Sequence, residues 1–369
     1  MKKILFSFAT LFLGALTFVS CSNDDDIQPA DPITISNGAF VVCEGNLGNK
    51  IPGSVSYLDY RTGFVANNTF LQVNGRVLGG TVNHALIYGS KIYFVSTDDN
   101  TIEVTDRNLR SIKQVKTTDL LGKKKGINPR HLVADGGRIY FTTYGKCLAA
   151  IDTVAFSLKD SIQVGDHPEG FTVANGKVLV ANSYYGTGKG TISIVDFARH
   201  TSVEKKVEGI YNPQDMYVVG NDIYVLDWGE YGDASQNYAQ IEAGLKQVVA
   251  KNGKDVAETV VANATQATLY RQQFYTINAP YGTGKVTYGV YQVATKKTTA
   301  LNIAVDSPKS IAVDPQTGNL FITSYTMQGG WPAYSKPGYL QMYSATGKKL
   351  NRYNVGVGPS TILFNTEVH

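Results

Sequence analysis

Five prolines, at positions 129, 168, 213, 308 and 359, mark copies of one theme, and their spacing constrains the fold more than any other feature of the chain. The clearest copies are 129–145 (PRHLVADGGRIYFTTYG), 168–184 (PEGFTVANGKVLVANSY) and 213–229 (PQDMYVVGNDIYVLDWG). Each reads as a turn at proline, a short apolar strand, a tight polar turn, and a second apolar strand ending in a loop. The first two intervals are 39 and 45 residues and the last is 51, whereas the 95 residues from 213 to 308 hold two units, one opening near Ala264. A weaker start near Val82 and a partial unit at 37–45 (NGAFVVCEG) bring the count to seven, and PSTILF at 359–364 is a lone first strand. A repeat of about 40 to 50 residues with four strands is the period of a β-propeller blade. The front fragment lacks a first strand and the end fragment is one. The reading is therefore all-β: a seven-bladed β-propeller over residues 36–369, its ring closed by the C-terminal strand pairing into the first blade.

The second half of each unit agrees. SVSYLDYRTGFVANN, IEVTDRNLRSIKQV, LAAIDTVAFSLKDSIQV and ISIVDFARHTSVEKKV each carry an aspartate at the same place, Asp59, Asp106, Asp152 and Asp196. A short acceptor there can bond turn amides. The fifth unit keeps its outer hairpin, signalled by Asn252-Gly253, and puts its extra length before Gly244.

The leader lies outside this pattern. Lys2 and Lys3 precede an apolar run from Ile4 to Val19, then Ser20 and Cys21, the layout of a signal peptide over residues 1–20. Phe18-Val19-Ser20-Cys21 resembles the lipobox of bacterial lipoproteins, which implies that Cys21 is lipidated. Ser22 to Asp26 resembles the acidic tag that sends lipoproteins of some gut Gram-negative anaerobes to the cell surface. Residues 21–35 then form a flexible acidic tether. Cys43 and Cys147 remain, in strands of blades that are not neighbours, so both are expected to be buried free thiols. Without Lys2 and Lys3, 32 basic residues face 30 acidic ones, and no basic stripe interleaves with aromatics, which argues against nucleic acid as a partner. Lys123 to Lys125, the one basic run, reads as a solvated loop between blades.

In a propeller, the loop joining a blade's second and third strands shares a face with the loop entering the next blade, so both surround one mouth of the central channel. Alignment of the units on Tyr93, Tyr140, Leu179, Tyr224, Tyr275 and Phe321 places these bulky side chains mid-strand, as packing between blades. Beyond them come small or polar positions, including Asn182, Asp227 and Asn278, then Tyr144 and Trp228, and then unusual loops: GNLGNKIPG, SYYGTGKG, DWGEYGDASQNYAQ, NAPYGTGKVTYG and SYTMQGGWPAYSKPGY. These loops hold Tyr184, Tyr185, Tyr231, Tyr238, Tyr281, Tyr325 and Tyr334 and both tryptophans, Trp228 and Trp331. So many rings on one face mark a contact surface, because aromatics supply large rigid area while phenol and indole donors add polar contacts. Just after each proline-type turn stand polar residues, Asn83, His84, Arg130, His131, Glu169, Gln214, Asp215, Thr265, Gln266, Lys309 and Ser360, which would ring the channel mouth below that rim. An apolar ring above a polar floor suits a large, flat, amphipathic ligand. The rings crowd units four to seven, so the ligand is expected off-centre, toward Trp228 and Trp331.

Catalysis is weakly signalled. The repeated Ser-x-Asp-x-Gly-x-x-Trp boxes of sialidase-type propellers are absent, and His84 and His131 have no third metal ligand at a diagnostic spacing. The lipobox, the acidic tag, seven degenerate repeats of the type Pro-x-x-hydrophobic followed by Gly-x-hydrophobic-Tyr-hydrophobic, and the aromatic rim loops together resemble the BtuG-type surface lipoprotein propellers, of the YncE-like class, which capture cobalamin. The resemblance spans the whole chain in architecture. It implies a non-enzymatic receptor with a corrinoid (vitamin B12) as transported ligand and no cofactor, lipid-anchored through Cys21 on the cell surface of the outer membrane. Such a receptor passes its ligand to a TonB-dependent outer-membrane transporter. Three other readings of the same rim stay open: a surface glycan-binding lipoprotein, a propeller lyase or quinoprotein-like enzyme, and a protein-interaction platform.

Overall fold

The computed structural model describes residues 34–232, 239–280 and 284–368. Seven antiparallel sheets of four strands form the blades of a ring. We letter the strands of each blade A to D from the axis outward. Blade 1 is closed by the two ends of the chain: its A strand is Pro359–Val368, followed by Thr34–Cys43, Ser54–Asp59 and Phe64–Ala66. Ala39, Phe40 and Val41 pair with Phe364, Leu363 and Ile362, so the predicted closure is present. The B strand begins at Thr34, paired with Val368, two residues ahead of the boundary expected at 36. The A strands of blades 2 to 7 are Val82–Tyr88, Pro129–Asp135, Pro168–Ala174, Pro213–Val219, Ala264–Tyr270 and Pro308–Val313. Every landmark proline, and both proline-free starts, therefore open an inner strand.

The core lies between blades, where the period-2 pattern turns one apolar face of each sheet against the next. Tyr93 of blade 2 packs with Ile139, Phe141 and Ile151 of blade 3, and Tyr224 of blade 5 packs with Phe274 and Tyr291 of blade 6. Tyr140, Leu179 and Phe321 are buried in the same way, and Tyr275 is half-buried. Each such side chain contributes roughly 1.5–3 kcal/mol by leaving water. Cys43 and Cys147 are both buried free thiols, and burial pushes them up to about 12 and about 11 respectively.

The outer hairpins follow the sequence closely. Asp59 Oδ1 accepts from the amides of Arg61 and Thr62, Asp106 Oδ1 from Asn108 and Arg110, Asp152 Oδ1 from Val154 and Ala155, and Asp196 Oδ1 from Arg199. Asn252 and Gly253 both take positive φ, 49° and 75°, as a two-residue hairpin turn requires. Among the described residues two α-helices interrupt the strands, α1 (Thr69–Asn74) between blades 1 and 2 and α2 (Thr117–Lys125) between blades 2 and 3. Lys123 to Lys125 are exposed, as expected, but in the last turn of α2 rather than in a loop.

Candidate functional site

A cavity of about 320 Å³ opens at the channel mouth, lined by Asn83, His84, Arg130, His131, Glu169, Gln214, Asp215, Gln266, Lys309 and Ser360 from the proline-type turns. Their convergence has a backbone cause. The pairing of strands A and B shifts register between Val82 and His84, Pro129 and Leu132, Pro168 and Phe171, Pro213 and Asp215, Ala264 and Gln266, and Pro308 and Ser310. A bulge inserts an unpaired residue and re-aims its side chain. Repeated around the ring, it turns the residues after each proline toward the axis.

Charge at the mouth is paired across blades. Arg130 Nε donates to Glu169 Oε2 at 2.9 Å, Arg130 Nη1 donates to Asn83 Oδ1 at 2.7 Å, and the Tyr144 hydroxyl donates to Glu169 Oε1. Lys309 Nζ lies 3.4 Å from Glu44 Oε1. Burial opposes the Arg130 charge, but the neighbouring Glu169 and Tyr144 outweigh it and raise its proton affinity above the ordinary value. Glu44 likewise raises Lys309. Burial, then Arg130, lowers His84 to about 4, and burial with His84 and Arg130 beside it lowers His131 well below the usual range. The two rings lie 4.9 Å apart, and His84 Nδ1 accepts the Leu132 amide at 3.3 Å, which fixes its tautomer. Both histidines are therefore neutral at physiological pH.

A pH dependence follows. His84 binds protons more weakly folded than unfolded, so its stabilisation is complete above pH 6.5 and is lost as pH falls toward 4. Asp215, raised by burial to about 6, acts in the opposite sense over pH 6 to 3.8 and masks part of the effect. The variant His84→Asn isolates it. Relative to the unsubstituted protein, its unfolding free energy is expected to gain about 2–3 kcal/mol between pH 7.5 and pH 4.5, measured by urea titration. A constant difference between the two proteins would contradict the neutral assignment.

The aromatic rim divides into three groups. Among the described rim residues, Trp331, Tyr185, Tyr231 and Tyr334 project, with 78%, 75%, 58% and 56% of their surface exposed, and they are open to a ligand above the mouth. Trp331 stands on a small hairpin, Met327–Gln328 with Trp331–Pro332, turned by Gly329 and Gly330 at φ 59° and 83°. The loop is thereby pre-shaped. Tyr325 packs on Tyr334 at 4.9 Å, edge to face, and the Tyr334 carbonyl accepts from Asn46 Nδ2 at 3.1 Å, joining blades 7 and 1.

Trp228 and Tyr144 belong to the floor. The Trp228 indole lines the mouth and donates to the Thr265 carbonyl at 2.8 Å, and the Tyr144 ring lies under the Arg130 guanidinium at 4.8 Å. Tyr184 turns outward, its hydroxyl donating to Glu204 Oε1 at 2.7 Å.

Three expected ligand contacts hold the loops instead. Asp227 is fully buried and accepts the amides of Tyr211, Asn212 and Gly229, with Lys246 Nζ at 3.6 Å. Asn182 is also fully buried and donates to Thr191 Oγ1 and Ser193 Oγ. Asn278, half-buried, donates to Thr287 Oγ1 at 3.3 Å. The polar residues that end these B strands are engaged in tying down neighbouring loop and strand segments, and that demand competes with facing a ligand. Tyr238, Tyr281 and Cys21 lie outside the described residues. Sequence reasoning did not select Glu44, Tyr217 or His167. The last has a legible signal, its place directly before a landmark proline.

Fold and mouth together define a seven-bladed β-propeller with a charge-paired polar channel mouth under an aromatic rim. The chain belongs to the family described as a domain of unknown function, DUF5074, whose profile matches residues 37–365. No curated protein matches the sequence. Among solved structures it is similar to hydrazine synthase of Kuenenia stuttgartiensis, at 14% identity over 78% of this chain and 95% of that one, with a TM-score of 0.58. A functionally unknown protein from Desulfotomaculum acetoxidans shares 12% identity over 90% of this chain and 99% of that one, with a TM-score of 0.57. The dihydro-heme d1 dehydrogenase NirN in complex with DHE shares 12% identity over 91% of this chain and 77% of that one, with a TM-score of 0.56. At these identities the likeness is one of fold.

Proposed function

We propose that this protein is a non-enzymatic cell-surface receptor that captures a corrinoid of the vitamin B12 type at the channel mouth. In this reading it is held at the outer membrane by lipid on Cys21 and delivers its ligand to a TonB-dependent transporter. One observation carries the binding part: a polar, hydrogen-bonding floor around a cavity of about 320 Å³ lies beneath loops that project Tyr185, Tyr231, Trp331 and Tyr334. A corrin is a broad disc with amide arms, and it needs both apolar area and many hydrogen-bond partners. Pre-shaped loops such as the Trp331 hairpin keep the ordering cost of binding low, which favours high affinity. The carboxylates of Glu44 and Glu169 are matched by Lys309 and Arg130, and the histidine pair is neutral. Apart from Asp215, whose carboxylate accepts the Met216 amide, this floor offers orienting hydrogen bonds from paired and neutral groups, which suits binding.

Calorimetry of the chain from Ser22 onward with cyanocobalamin tests the reading. One equivalent is expected to bind with submicromolar affinity, and Trp331→Ala is expected to weaken it about tenfold. Absence of heat and of retained visible absorbance at micromolar protein would overturn it. Binding on a glycan array in place of cobalamin would favour the surface glycan-binding alternative, in which Trp331 and the exposed tyrosines stack on sugar rings.

A further inference from the structure

Four blade entries share an unusual backbone conformation. The residue just before the A strand takes positive φ at Asn128, His167, Asn263 and Gly358, at 48°, 46°, 61° and 66°. Asparagine and glycine tolerate this region best. Only the entry to blade 4 uses an imidazole, so the backbone alone does not account for His167. The residue is firmly fixed: its carbonyl accepts both the Ser183 amide and the Ser183 hydroxyl at 3.0 Å. Tyr184 and Tyr185, on the facing loop, are also held at φ 50°. Strained backbone gathered at one place points to function when neighbouring structure enforces it.

The side chain is oriented as well. Asp166 Oδ1 lies 2.8 Å from His167 Nδ1, and Asp166 is itself held by Lys146 Nζ at 2.8 Å. The ring sits between Tyr144, at 4.7 Å, and Tyr185, at 5.5 Å, on a strip running from the Arg130–Glu169 floor to the exposed rim. About a third of the side chain is open, at 36%. A carboxylate on one imidazole nitrogen fixes the tautomer, leaves the lone pair on the other, and strengthens it as a metal donor.

We infer that His167 Nε2 is an axial ligand to the metal of the captured corrinoid, with Asp166 as its positioning residue. This rests on the corrinoid reading above and adds a coordination bond to it. With aquocobalamin the step is a ligand exchange: the cobalt–water bond breaks, water leaves, and the Nε2 lone pair forms the cobalt–nitrogen bond. No electron or proton is transferred. Cyanocobalamin carries cyanide where the aquo form carries water, so it cannot undergo this water exchange.

The test uses the chain from Ser22 with both cobalamins at pH 7.5, read by visible absorbance and calorimetry. His167→Asn is the chosen variant because Asn128 and Asn263 hold the same backbone conformation at equivalent positions. The expected result is a spectral shift on binding aquocobalamin that is absent in H167N, with affinity for that form reduced roughly tenfold or more and cyanocobalamin affinity little changed. Asp166→Asn is expected to weaken aquocobalamin binding in the same selective way. If both cobalamins bind without a shift, or the shift survives in H167N, the coordination is overturned while the receptor reading stands. Failure of the unsubstituted protein to bind cyanocobalamin overturns the receptor reading itself, and the coordination with it.

Discussion

Replacing Glu169 with alanine is expected to destabilise the propeller by roughly 3–5 kcal/mol, the largest effect of any single mouth substitution. Glu169 is only 3% exposed and accepts from Arg130 and Tyr144, with His131 Nε2 at 3.8 Å. Removing it strands the Arg130 guanidinium, whose side chain is 20% exposed, without a counter-charge. An uncompensated charge costs more than the pair contributes, because desolvation is no longer offset by attraction. The companion double variant Arg130→Met with Glu169→Leu removes both charges and is expected to recover most of the loss. Urea unfolding of the three proteins checks both statements. A loss below about 1 kcal/mol for E169A would show that the pair is solvated, as exposed pairs are. Ligand affinity of the double variant then reports how far the polar floor serves binding apart from stability.

Removing the closing strand, residues 359–369, is expected to abolish the cooperative folding transition. Pro359–Val368 is the inner strand of blade 1, paired with Thr34–Cys43, and it brings Ile362, Leu363 and Phe364 to the apolar clusters on both flanks. Without it the Thr34–Cys43 strand becomes an open edge, with unpaired amides and carbonyls and an exposed apolar face, which invites aggregation. The ring would also lose the covalent link that holds blade 7 to blade 1. Circular dichroism melts and size-exclusion chromatography report the outcome: a broad transition with aggregated material is expected, and a sharp native-like melt of a monomer would mean that the seven blades fold without the closing strand.

Some elements were readable before any coordinates because their causes are local. The aspartates at 59, 106, 152 and 196 bond turn amides within four residues, so spacing alone reveals them. Mid-strand rings such as Tyr93 and Tyr224 read as core because alternation places them on the buried face. The helices α1 and α2 did not read, since both are short and α2 is broken at Gly122, where φ is 80°. Position along the chain placed Asn83, Arg130, Glu169 and Gln214 at the channel mouth, where they line the cavity, but it could not tell which polar groups are engaged by the protein's own backbone and side chains. Asp227 and Asn182 occupy the polar repeat position at the edge of the rim loops, yet three backbone amides engage one and two hydroxyls the other.

By itself, the sequence determined the ring: seven units, their proline-type starts, the closing strand, and the face on which polar and aromatic residues gather. Those features depend on period-2 alternation and turn chemistry, which act over a few residues. Tertiary structure alone decided which side chains meet. Arg130 finds Glu169 from the next blade, Lys309 finds Glu44 across the closure, and Tyr144, His167 and Tyr185 align into one strip. Arg130 and Glu169, Lys309 and Glu44, and Tyr144 and His167 lie in different repeats, and the packing of neighbouring blades, with ring closure for the Lys309 pair, brings them within reach of one another.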